Sequence, residues 1–93
     1  MNLTKEQLEE IEAMAGLFFS VDDICTNLEL EEEDTEYFKA CVEVKGDYNF
    51  ARAFRKGRIT AEIQLRQSIK QAALNGSNPA QSSMLDFYKQ SLI

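Results

Sequence analysis

Ser20 to Val44 reads SVDDICTNLELEEEDTEYFKACVEV, and its spacing decides the fold. Ser20 is a helix-capping residue type, and Val21, Ile24, Cys25 and Leu28 then recur at helical intervals on one face. Leu30 follows a tight connection, and Tyr37, Phe38, Cys41 and Val42 restart the apolar stripe. Two short amphipathic helices joined in this way form a helix-turn-helix. The chemistry of the second helix opposes the usual use of that motif. Glu31, Glu32, Glu33, Asp34 and Glu36 stand where a DNA-reading helix usually carries cations, and duplex reading begins with attraction to phosphate. These acids have a structural cause, because they lie in the first turn and face the positive end of the helix dipole, where each contributes roughly 0.3–1 kcal/mol. Consecutive carboxylates point in different directions around a helix and no glycine-centred calcium loop follows, so helix stabilisation is expected over metal binding.

Outward from this stretch the chain reads as helix nearly throughout, since β-branched alternation is absent and capping signals recur. Thr4 and Gln7 have capping-box spacing, and Leu8, Ile11, Met14, Ala15 and Phe18 mark one face of a first helix ending near Gly16 to Phe19. Gly46 is a candidate C-cap for the third helix and Asp47 a candidate cap for the next. From Tyr48 to Asn75 one long helix is expected, with a break or bend at Gly57 as the alternative. A helix-interior glycine costs about 1 kcal/mol relative to alanine, which points to close backbone packing at that position. Ile59 and Ile63 widen the apolar arc of this helix to roughly 200°, more than one covered side requires, so part of the arc is expected to join subunits. Gly76 stops the helix, Asn78 is expected to cap the next, and Pro79 falls in its first turn, where a missing N–H costs nothing. A short last helix near Pro79 to Ser91 then folds back as an antiparallel hairpin. The expectation is an all-α single domain of about five helices, with a helix-turn-helix part over 1–45 and a long helix plus C-terminal helix over 47–93.

The 93 residues hold 10 bases and 16 acids, a net charge of -6 that is divided unevenly. Residues 1 to 50 hold three lysines against fourteen acids, and residues 51 to 93 hold seven bases against Glu62 and Asp86. The cations concentrate in Arg52, Arg55, Lys56, Arg58, Arg66 and Lys70, which read either as a phosphate-binding surface or as partners for the chain's own acidic half. The two cysteines sit on apolar stripes and read as core residues. No histidine is present, which removes imidazole catalysis and the commonest metal ligand. The acidic, amphipathic N-terminus is not a signal peptide and no stretch approaches membrane-spanning length, so a cytoplasmic location is expected.

The order of these pieces resembles the small terminase subunit and related helix-turn-helix proteins of phages and prophages. Phe50, Ala53, Lys56, Gly57 and Arg58 match the family's step of an aromatic, an alanine and basic-Gly-basic, while Ala72, Ala73, Gly76, Asn78, Pro79 and Ala80 match its long-helix ending and punctuation. The resemblance covers most of residues 15 to 88. It implies a DNA-packaging protein that binds viral duplex DNA, assembles into rings, and hands the DNA to a large terminase subunit without catalysis of its own. Glu29 stands where the family's turn commonly holds glycine, and Glu33, Glu36 and Glu43 stand where polar or basic base-reading residues are usual.

Enzymatic readings lack parts. Asp22 and Asp23 lie in the first turn of a helix without a nucleophile or base partner, and Gly76-Ser77-Asn78 lacks the length and lysine of a phosphate-cradling loop. No cofactor or metal is expected. The candidate phosphate-holding residues are Arg52, Arg55, Lys56 and Arg58, assisted by Lys39 and Lys45, and the candidate oligomerisation residues are Ile59 and Ile63. The competing expectation is a protein–protein interaction module whose acidic helix-turn-helix binds no DNA.

Overall fold

Local capping rules set where the helices begin. In the computed structural model, which describes residues 1–92, they are α1 (Lys5–Gly16), α2 (Val21–Asn27), α3 (Glu32–Glu43), α4 (Asn49–Leu74) and α5 (Asn78–Gln90). The described residues contain no strand, and no described helix is long and apolar enough to cross a membrane. Thr4 and Gln7 close a reciprocal capping box, with the Gln7 amide donating to the Thr4 hydroxyl at 3.1 Å and the Thr4 amide to Gln7 Oε1 at 2.8 Å. Ser20 accepts from the Asp23 amide at 3.1 Å. Glu31 precedes α3 without a side-chain cap, leaving Glu32, Glu33 and Asp34 in the first turn to meet the helix dipole.

Two expected caps shift. Ser77, rather than Asn78, caps α5 by accepting from the Ala80 amide at 3.3 Å, which places Asn78 and Pro79 inside the first turn. Asp47 lies two residues ahead of α4, and its carboxylate meets the Arg52 guanidinium at 3.5 Å.

The first four helices end in the same closure. After α1, the Phe19 amide reaches back to Met14 O and Phe18 to Ala15 O; Leu30 to Cys25 and Glu29 to Thr26 repeat it after α2. Gly46 to Cys41 with Lys45 to Val42, and Ser77 to Ala72 with Gly76 to Ala73, repeat it after α3 and α4. This Schellman arrangement requires a left-handed residue, and Phe18 (φ 66), Glu29 (φ 58), Lys45 (φ 53) and Gly76 (φ 96) supply it. Only the last is glycine. At the end of α3 the left-handed residue is therefore Lys45, not the expected Gly46, which instead donates the closing bond at 2.8 Å.

The chain divides into two compact units, Met1–Ala61 and the segment from Glu62 onward, with the division inside α4. Burial explains why the start of α4 belongs to the first unit. Phe50, Ala51 and Phe54 complete a core with Ile11 and Ala15 of α1, Ile24 and Cys25 of α2, and Phe38 and Cys41 of α3. Phe38 packs against Phe50 with ring centroids 5.0 Å apart and edge-on to Phe54 at 6.2 Å, geometries that aromatic pairs favour. Gly57 brings α4 against α1 so closely that a Cβ there would lie 2.1 Å from Glu12 O and 3.0 Å from the Ala15 methyl. The helix runs through Gly57 unbroken, so this glycine serves close approach rather than interruption.

The second unit has little core. Ala80 is its one buried hydrophobic residue among those described. The Gln81 amide group donates to Ala73 O at 3.1 Å, and the Arg66 guanidinium lies 4.0 Å over the Phe87 ring while hydrogen-bonding Glu62. Leu65, Leu74, Leu85, Tyr88 and Leu92 remain more than half exposed.

Candidate nucleic-acid interface

A phosphate-binding residue needs a cation whose donors remain free to leave their present partners. Arg58 does not meet that requirement. From α4 its Nη2 donates to Phe19 O in the α1–α2 connection at 2.8 Å, and its guanidinium lies 4.6 Å over the Phe54 ring and 6.0 Å from the Phe18 ring. Its Nε is buried without a hydrogen-bond partner. Arg55 is similarly engaged: Nη1 donates to Gly46 O at 3.1 Å, fixing the α3–α4 connection. These two arginines satisfy carbonyls of the connections and tie them to α4, a use set by the planar, multi-donor guanidinium.

Lys39 projects from α3 toward α2, with Nζ 2.8 Å from Asp22 and 3.9 Å from Glu36. The hydrogen bond to Asp22 holds the lysine's pKa above its ordinary value, so this ammonium is charged and already neutralised by Asp22 and Glu36. Lys45 occupies the left-handed turn position after α3 and has no carboxylate within ion-pairing distance among the described residues. Arg52 and Lys56 form looser pairs, to Asp47 at 3.5 Å and Glu12 at 3.8 Å, with side chains 68% and 73% exposed. Exposed pairs of this kind contribute about 0–1 kcal/mol and exchange readily with other anions.

The six candidate cations therefore do not converge on one surface. The fold adds a cation that sequence proximity could not suggest. Lys5 and Leu8 of α1, with Glu9 and Glu12, face Asn49, Arg52, Ala53 and Lys56 of α4 across an open groove of about 380 Å³. Lys5 and Arg52 lie far apart in sequence, and no local pattern links them.

On α3, Glu32, Glu33 and Glu36 face solvent while Phe38 and Cys41 face the core, so the exposed surface of α3 is acidic. Glu29 adopts the left-handed conformation in the α2–α3 connection, a position where glycine is usual, at a backbone cost. Cys25 and Cys41 are free and buried, and burial pushes the Cys25 thiol's pKa up. Among the described residues no three His, Cys, Asp or Glu side chains gather as a metal site requires. Ile59 and Ile63, one turn apart on α4, are 55% and 50% exposed.

A scan of protein-family models finds no match to the chain, and searches of curated proteins and of solved structures find none either.

Proposed function

We propose that the chain is a non-catalytic, phage-type helix-turn-helix subunit. In this reading it works as a homo-oligomer, in the manner of small terminase subunits that bind duplex DNA and serve a larger packaging protein. The observation that carries it is the second unit's lack of a core. A helical segment of this size with only Ala80 buried among its described residues gains little to offset its own ordering entropy, and segments below about 40 residues ordinarily need a metal, a disulfide or association to stay folded. Its leucines and Tyr88, together with Ile59 and Ile63, supply the apolar area that subunit association would cover. Arg52, Lys56 and Lys45, whose charged groups are exposed or loosely paired, are the residues assigned to phosphate, and Arg55 and Arg58 are assigned to holding the connections behind them.

Size-exclusion chromatography with light scattering tests assembly. An oligomer that Leu65→Asp with Leu85→Asp converts to a helical monomer is expected, and a wild-type monomer at micromolar concentration would refute the assembly role. Electrophoretic titration with duplex at two salt concentrations tests the DNA role, which fails if no complex forms at low salt.

A second reading is favoured by the exposed acids of α3. Glu32, Glu33 and Glu36 form a surface suited to a basic protein partner, with α3 serving as a docking helix. Reversal of the three to lysine separates the readings: tighter DNA binding with unchanged assembly supports the first, and loss of a protein partner supports the second.

A further inference from the structure

The sequence locates the cations on one segment of α4, whereas the fold gathers a different set. Arg55 and Arg58 turn to backbone carbonyls of the first unit, and Lys39 turns to Asp22. Arg52, loosely paired with exposed Asp47 at 3.5 Å, and Lys56 instead line the groove across from Lys5, together with apolar Leu8 and Ala53. Two carboxylates, Glu9 and Glu12, line the same groove, and Glu12 holds Lys56 at 3.8 Å. We infer that this groove between α1 and the start of α4 is a phosphate-binding site, with Lys5, Arg52 and Lys56 as its cations and Glu12 as an internal competitor for Lys56. The inference rests on the phosphate role proposed above, keeps Arg52 and Lys56, and adds Lys5 of α1 in place of Lys45.

The chemistry has three parts. Cations lining one open groove from two helices can neutralise a phosphate from both sides, as a flat row on one helix cannot. The Lys56–Glu12 pair is long and exposed, so a phosphate with its greater charge density can displace the carboxylate at small cost. The apolar lining of Leu8 and Ala53 can accommodate the aliphatic stems of the lysine and arginine chains. The phosphate can belong to a nucleic-acid backbone or to a free anion, and the experiment distinguishes them.

Amide shifts of the full chain are followed by NMR during titration with inorganic pyrophosphate, and affinity for a duplex is measured in parallel from 50 to 200 mM salt. The variants are Lys5→Ala, Glu12→Gln and, as a control outside the groove, Lys70→Ala. Expected are pyrophosphate shifts centred on Lys5, Arg52, Ala53 and Lys56, tighter binding by Glu12→Gln, and a duplex salt slope about 0.9 smaller for Lys5→Ala with no change for Lys70→Ala. If duplex binds but Lys5→Ala and Glu12→Gln behave as wild type, the groove assignment is overturned while DNA binding stands. If pyrophosphate titrates the groove and duplex does not bind, the site is upheld as one for a free phosphate and the DNA function fails. Absence of both responses overturns the groove and the DNA role together.

Discussion

Gly57→Ala tests the helix crossing on which the first unit is built. The added Cβ would lie 2.1 Å from Glu12 O, whereas carbon and oxygen settle at about 3.3 Å, so the two helices must separate by roughly 1.2 Å at that point. The obstructing atom is backbone, and it cannot swing aside as the tip of a flexible chain could. The Ala15 methyl at 3.0 Å adds a second clash beside the core residue Ile11. Alanine in a helix interior gains about 1 kcal/mol over glycine, while overpacking costs typically 1–3 kcal/mol and more when backbone must move. Overpacking should win, leaving the variant destabilised by about 2 kcal/mol. Gly16→Ala provides the internal comparison: its Cβ would meet Gly57 O at 3.3 Å, a tight contact that a small shift relieves, so its cost should be well below that of Gly57→Ala, about 0.5 kcal/mol. Urea unfolding of both variants, followed by far-UV circular dichroism, reads the difference. A Gly57→Ala midpoint at or above the wild-type value, with an unchanged denaturant slope, would refute the close-approach reasoning.

Arg58→Lys should lower stability by about 1–2 kcal/mol in the same assay, because an ammonium cannot both donate to Phe19 O and lie flat over Phe54. An unaffected midpoint would return Arg58 to the set of free cations. Glu29→Gly should raise stability by about 0.5–1 kcal/mol, since glycine adopts φ 58 without strain, and a lower midpoint would show that the Glu29 side chain matters more than its backbone. Cys25 should resist a thiol reagent until the unit unfolds. Its thiol pKa is raised by burial, so the associated stability is fully present below the unfolded-state value and is lost as pH rises through the folded one. Rapid modification of Cys25 in the native chain near neutral pH would refute its placement in the core.

What sequence determined by itself was local. Capping residues Thr4 and Ser20, the helical spacing of Ile11, Ile24, Phe38 and Phe54, and the Gly76–Pro79 punctuation specify five helices because each acts over one or two turns of chain. Even where a cap moved by one residue, from Asn78 to Ser77, the element remained. The left-handed turns were less legible: Phe18, Glu29 and Lys45 adopt a conformation their side chains disfavour, and the surrounding closure imposes it. The fate of the charges was not legible at all. Whether an arginine on α4 faces solvent, a carbonyl of a distant connection or a carboxylate on α1 depends on how the helices cross, and Gly57 sets that crossing through a distance to Glu12 O. Tertiary structure alone therefore turned Arg55 and Arg58 inward, brought Lys5 opposite Arg52 and Lys56, and left the leucines of the second unit uncovered. Electrostatic partners are chosen through space, and only the packed fold fixes which residues share it.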